Sequence, residues 1–304
     1  MGKYFEGWVK SMPKTVLLTG ATGLIGKEAI QPLLEADFKV FAISSKDDMP
    51  KNGNVTWIKV DLLNYDDIKR VFSCIQPKYL LHFAWFTGDG YLSADINYQL
   101  LDASLFMLSE FKKNCGKRAV FAGTCFEYQF KDTPLKEDDE LNPTTIYARC
   151  KNELREKAQI FSNDHDISFG WGRIFYVFGH NEYKNRLLPS IIKALKNNKS
   201  ILIKSGPLIR DYMYTRDIAE AFVKFLLTDV SGCINICNGQ GISIKEFAIK
   251  VAEKLKKTEL LEFTDNIQNQ PSIIIGDNRR LNQEVGYRQC YNIENALENI
   301  IKEL

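Results

Sequence analysis

The sequence carries almost no excess of charge: 40 Lys and Arg face 38 Asp and Glu, a formal net charge of +2 over 304 residues. That balance suits neither a nucleic acid nor an anionic membrane as partner. Histidine is scarce. His82, His165 and His180 are scattered and make no metal-ligand spacing, which argues against zinc chemistry and leaves no metal expected. No apolar run approaches the length of a bilayer span, and the N-terminus lacks a signal-peptide core. The seven cysteines, an odd number without a secretory signal, read as reduced thiols in a cytoplasmic setting. Cys233 and Cys237 fall on one face if 233–237 is a strand, and core packing explains them better than a metal. No internal repeat or low-complexity segment interrupts the chain.

What remains is an ordinary globular composition, 45% apolar and 26% charged, long enough for one large domain or two unequal ones. Residues 1–12 form an N-terminal extension. Tyr4, Phe5, Trp8 and Val9 make it too apolar for a plain tail. Either it packs on the body or a partner, or the natural start is Met12.

The most informative stretch is Val16-Leu-Leu-Thr-Gly20-Ala-Thr-Gly23-Leu-Ile-Gly26. A short apolar run reads as a buried strand, and a helical pattern follows through Ala29, Ile30, Leu33 and Leu34. Between them, Gly20 permits a tight turn, Gly23 a close approach of a pyrophosphate to the backbone, and Gly26 a close packing of helix and sheet. Phosphates then sit at a helix N-terminus, where free N–H groups favour negative charge. Glycine-rich turns without ligands are common, but the strand-turn-helix context favours dinucleotide binding.

Further strands are expected at 38–43, 55–60, 79–84 and 118–122, with helices at 66–75, 93–111 (carrying Asn97) and 144–159. This alternation up to about residue 175 predicts a doubly wound α/β fold with a parallel sheet. Beyond 175 it becomes irregular. The charge run 136–140 reads as a solvated loop. Gly123-Thr124-Cys125-Phe126-Glu127-Tyr128 follows the fifth strand at its C-terminal end, where open α/β sheets place their chemistry.

The helix at 144–159 carries Tyr147 and Lys151, four residues apart and so on one face. A free phenol, with a pKa of about 10, is a poor acid at neutral pH. A neighbouring ammonium is expected to lower that value. Thr124 can donate a hydrogen bond to the same carbonyl oxygen that Tyr147 protonates. A Tyr-x-x-x-Lys spacing also arises by chance on surface helices.

Taken together, Thr19-Gly-Ala-Thr-Gly-Leu-Ile-Gly26, Thr124 ahead of Tyr147-Ala-Arg-Cys-Lys151, Arg173-Ile-Phe-Tyr-Val-Phe-Gly179 and Ile209-Arg-Asp-Tyr-Met-Tyr-Thr-Arg-Asp-Ile218 resemble the extended short-chain dehydrogenase/reductase family, in its nucleotide-sugar branch. The resemblance runs from Pro13 to the C-terminus. It implies a Rossmann domain over 13–175 and mainly a nucleotide-sugar lobe over 176–304, with a possible return of the chain to the sheet. It implies a triad of Thr124, Tyr147 and Lys151, with Lys151 also holding nicotinamide ribose. Thr22, Leu24 and Ile25 of the loop would contact the dinucleotide, Asp61 and Leu62 its adenine, and Ala84 would lie beneath it. Trp85, Tyr176, Arg186, Leu187 and Arg210 would face the substrate with Thr124, Arg210 meeting its diphosphate.

The residue ending the second strand selects the cofactor in such folds: an acid there favours NAD. Here Ser44 stands about eighteen residues past Gly26. Ser44 and Lys46 suit the 2′-phosphate of NADP(H), while Asp47 and Asp48 keep NAD(H) open. The second arginine that family members often carry before a Pro-Gly-Asp turn is missing at Asn269-Gln270-Pro271, so Arg279 or Arg280 would have to compensate. Dehydration is disfavoured, because Cys125 and Phe126 occupy the positions of an Asp-Glu pair. The reading preferred is a 4-ketoreductase of a nucleotide-linked 4-keto-6-deoxy sugar. Alternatives are a 4-epimerase, a fucose-synthase-type enzyme using Cys125 and His180, and a non-catalytic dinucleotide binder. A homodimer packed through 93–111 and 144–160 is expected.

Overall fold

The structure is a computed structural model that describes residues 14–50, 53–264 and 270–303. The N-terminal extension, with Tyr4, Phe5, Trp8 and Val9, and Asn269 lie outside the described residues. The strands are β1 (Lys14–Thr19), β2 (Phe38–Ser44), β3 (Val55–Lys59), β4 (Tyr79–His82), β5 (Arg118–Thr124), β6 (Ser168–Ile174), β7 (Tyr176–Phe178), β8 (Ile201–Ile203), β9 (Ile209–Arg210), β10 (Tyr212–Tyr214), β11 (Gly232–Ile236), β12 (Ile242–Ser243), β13 (Leu261–Phe263) and β14 (Ile273–Ile274). The helices are α1 (Ile30–Glu35), α2 (Tyr65–Ile75), α3 (Ile96–Lys113), α4 (Ile146–Asp164), α5 (Leu187–Lys196), α6 (Thr215–Leu227), α7 (Ile244–Leu255), α8 (Arg279–Gln283) and α9 (Ile293–Lys302).

Seven strands form a parallel sheet in the order β11-β6-β5-β4-β1-β2-β3. Alternate residues of each strand serve opposite faces. Val16 and Leu18 pack with Leu33, Phe222 and Phe225 on one side. Leu17 and Leu80 pack with Phe72, Leu108 and Leu154 on the other. Covered on both faces, these strands read as continuous apolar runs. The strand order reverses between β1 and β4, and a crevice at such a point is where doubly wound folds bind ligands.

A smaller lobe gathers around Phe178, Leu188, Ile191, Tyr212, Phe247, Val251 and Leu297. Its strands are short: β7 pairs with β10, β9 with β12 and β14, and β8 with β13. The chain returns to the main sheet as β11, which pairs with β6 from Gly232↔Gly170 to Ile236↔Ile174.

Two expectations need correction. The helix after the glycine loop is regular only from Ile30. Residues before it are held by mixed three- and four-residue bonds, such as Glu28 N–H to Ile25 O and Ala29 N–H to Ile25 O. Pro32 has no amide to bond back to Glu28, which weakens regular helix there. The charge run at 136–140 is not a free loop. Glu137 accepts the Asn235 N–H at 2.8 Å from the open edge of β11, and its carbonyl accepts from Arg173 at 2.9 Å.

Candidate active site

The glycine loop is shaped by backbone contact. Gly20 has φ +66°, and a Cβ there would lie 2.7 Å from the Ala84 nitrogen. A Cβ on Gly26 would overlap the Gly20 carbonyl, and one on Gly23 would sit 3.0 Å from the same oxygen. The loop therefore curls against β4 with room for nothing larger than glycine, and leaves a backbone-walled cradle of the kind a pyrophosphate needs. Gly20, Gly23, Leu24, Ile25 and Ala84 line one end of a cavity of about 390 Å³. Thr22, Ser44, Lys46, Asp61 and Leu62 do not line it. Thr22 and Ser44 pair their hydroxyls at 3.1 Å, and Ser44 Oγ also accepts the Lys46 N–H at 3.1 Å. Asp47 is ion-paired to Lys59, and Asp61 accepts the Leu63 N–H.

A polar relay fixes the floor of the cradle. Ser104 donates to Leu100 O at 2.6 Å, so the His82 Nε2–H donates to Ser104 at 3.0 Å. His82 Nδ1 is then left to accept from the Thr19 hydroxyl at 2.6 Å, while Ala84 N–H donates to Thr19 Oγ1 at 3.2 Å. Burial and the Lys151 charge keep His82 neutral, well below its ordinary pKa.

Thr124, Tyr147 and Lys151 meet on the same cavity. β5 ends at Thr124, and the turn 125–127 hydrogen-bonds its hydroxyl oxygen through Phe126 N–H, leaving the hydroxyl proton to donate. Thr145 caps α4 through the Ala148 N–H, and one turn presents Tyr147 and Lys151 together. Tyr147 lines the cavity beside Thr124. Lys151 Nζ donates to Ala122 O at 2.8 Å. Burial lowers Lys151 to about 7, with Glu127 pulling partly back. The expected lowering of the Tyr147 pKa is reversed. Burial pushes the phenol well above its ordinary value, Tyr91 adds to this, and only the Thr124 side chain opposes it. A desolvated phenol stays protonated, ready to give a proton rather than take one.

At the other end stand Tyr176, Arg186 and Leu187, together with Tyr91, Cys125 and Glu182. Tyr91 packs edge-on against Tyr147 at 5.0 Å and lies beneath the Arg186 guanidinium at 5.8 Å. Arg210 does not line the cavity. It is 1% exposed, donates to the Ile209 and Ser272 carbonyls, and lies 5.4 Å from the Tyr176 ring, which covers it. Arg279 and Arg280 stand on a second cleft, paired with Asp277 and Glu284, so neither compensates at the cavity. Cys125 and His180 are not brought together. Cys125 lines the cavity with its thiol pushed up by burial, whereas His180 lies off it, 3.3 Å from Glu303.

The sequence model of the NAD dependent epimerase/dehydratase family matches residues 16–237, most of the chain and all of the glycine-loop end of the cavity. The chain belongs to that family. It is similar to the dTDP-6-deoxy-L-talose 4-dehydrogenase (NAD(+)) of Aggregatibacter actinomycetemcomitans, with 24% identity over 76% of this chain and 86% of that one. It is also similar to the dTDP-4-dehydro-6-deoxyglucose reductase of Escherichia coli, with 27% identity over 95% and 97%. In fold it follows the UDP-glucose 4-epimerase of Thermotoga maritima, TM-score 0.87 at 17% identity over 95% and 99%.

Within this NAD dependent epimerase/dehydratase family member, two contributors to the site, Glu127 and Tyr91, were missed by reading residues. Glu127 is fully buried and off the cavity. It accepts from Thr124 N–H at 3.0 Å, Trp171 Nε1 at 3.0 Å and Arg173 Nε at 2.7 Å, and so holds Thr124 in place. Tyr91 had no signal beyond lying in a loop. Trp85 was expected to face a sugar. It does border the cavity, but the Lys151 ammonium sits over its ring at 3.8 Å.

Proposed function

We propose that this protein reduces the C4 keto group of a nucleotide-linked 4-keto-6-deoxy sugar, with NADPH as the preferred donor. The observation that carries this is Tyr147, buried and lining one wall of the cavity together with Thr124 and Lys151. A nicotinamide dinucleotide in the glycine cradle would supply the hydride. Tyr147 would give its proton to the sugar oxygen while the Thr124 hydroxyl fixes that oxygen, and Lys151 would stabilise the phenolate left behind and hold a ribose hydroxyl. Cys125 and Phe126 follow Thr124, so no adjacent acid–base pair serves elimination of water. The Escherichia coli relative, named as a reductase of a 4-dehydro-6-deoxy sugar nucleotide, supports the same reaction class.

The preference for NADPH rests on the end of β2. Ser44 presents a hydroxyl shared with Thr22, Lys46 follows, and the nearby Asp47 is engaged by Lys59. Isothermal titration should give tighter binding of NADPH than NADH, and Lys46→Glu should weaken NADPH selectively. Equal affinities would remove this part of the proposal. The assembly proposed is a homodimer through α3 and α4, which expose Tyr98 and Ile160; sedimentation as a monomer would exclude it.

The test of the reaction is incubation with a panel of nucleotide-linked 4-keto-6-deoxy sugars and NADPH, with mass analysis of products. NADPH oxidised mole for mole with loss of the keto group is the expected result. Interconversion of C4 epimers without net NADPH consumption would replace reductase by epimerase on the same triad.

A further inference from the structure

Lys151 is a buried ammonium with few partners. Its side chain is almost wholly enclosed, and its hydrogen bond to the Ala122 carbonyl uses one of three N–H donors. The groups facing it are neutral or distant. Tyr147 belongs to its own helix, Thr124 to β5 and His82, held neutral, to β4. Glu127, beyond the end of β5, is already engaged by Arg173 and Trp171. The Trp171 ring of β6 lies 5.9 Å away. Against that background, the Trp85 ring at 3.8 Å is the close electrostatic partner.

The Trp85 ring is also fixed in orientation. Its Nε1–H donates to Asn97 Oδ1 at 2.7 Å, and the Asn97 amide donates to the Tyr91 and Ala94 carbonyls, both at 2.7 Å. Asn97 is fully buried in the first turn of α3. The indole is thus held by a side chain that is itself held twice, and its face is presented to the ammonium.

We propose that Trp85 is a positioning residue for Lys151, clamping its ammonium by a cation–π contact so that it stays charged and aimed at Tyr147 and the cavity. The inference rests on the role given above to Lys151 beside Tyr147. An aromatic face favours the protonated over the neutral amine, and does so most strongly where water is excluded. It therefore counters the burial that pulls Lys151 down to about 7. Without the ring, Lys151 would lose its proton at lower pH, and the charge that stabilises the phenolate would go with it.

The experiment is an NMR titration of the full chain carrying lysine labelled with ¹³C at Cε, with Lys151→Met identifying the signal. Trp85→Leu should lower the Lys151 midpoint by roughly one pH unit, and Trp85→Phe should fall between it and the parent. In turnover, the alkaline limb of kcat/KM should move down by the same amount, with activity recovered at lower pH and partly rescued by Phe. An unchanged midpoint in both variants overturns the proposal, and so does a fall in activity that is equal at every pH. If Trp85→Leu does not fold, Trp85→Phe and Trp85→Tyr carry the same comparison. The titration does not depend on turnover. A Tyr147→Phe protein that retained activity would instead remove the catalytic reading while leaving the clamp measurable.

Discussion

Tyr147→Phe removes one oxygen from a side chain whose ring is already packed by Tyr91 and Trp85. The variant should fold, bind both ligands nearly unchanged, and lose roughly two to four orders of magnitude in turnover, read as NADPH oxidation. Lys151→Met should also be inactive, yet more stable than the parent. The folded pKa of about 7 lies below the ordinary 10.5, so the unfolded chain binds more protons and the lysine's penalty grows as pH falls from 10.5 to about 7. The gain in melting temperature for Lys151→Met should therefore be larger at pH 6 than at pH 9, which scanning fluorimetry can check. Arg186 is the guanidinium on the cavity wall. Arg186→Ala should raise the KM for the sugar nucleotide and leave cofactor binding intact, a loss of roughly 1.5–3 kcal/mol for a charged hydrogen bond. That Thr124, Tyr147 and Lys151 would share one wall was readable from helical spacing, a strand end and the family resemblance together. The protonation of Tyr147, the cover over Arg210 and the partner of Trp85 were not, because each depends on what the fold packs beside it.

The elements divide in the same way. β1, β2, β4 and β5 were legible as apolar runs because both of their faces are covered. The turns before α1 were not, since a helical pattern of apolar residues does not register the amide missing at Pro32. The contacts of Glu137 were equally hidden, because they are made to β11, about a hundred residues along the chain. β5, the turn 125–127 and β6 depend on one buried pair, Glu127 with Arg173 at 2.7 Å. Breaking such a pair leaves an uncompensated buried charge. Arg173→Leu should cost roughly 3–5 kcal/mol, measured by urea unfolding, and the loosened Glu127 should also misplace Thr124. A variant as stable as the parent would contradict that account.

Across the whole molecule the chain does not cross once from one lobe to the other. It leaves the sheet after β6, builds β7 to β10 in the smaller lobe, returns through α6 and β11, and departs again into β12. Arg118 at the start of β5 ties down the return. Its guanidinium donates to the carbonyls of Phe225, Leu226 and Val230 at 2.7–3.0 Å. The sequence allowed for such a return without locating it, because β11 is a short apolar run like many others. The two lobes are consequently stitched rather than hinged. A protease cut near residue 175 should release no folded fragment, and a chain ending there should aggregate through the bared edge of β6. Pulled from its two ends, the molecule should come apart in one rupture rather than two.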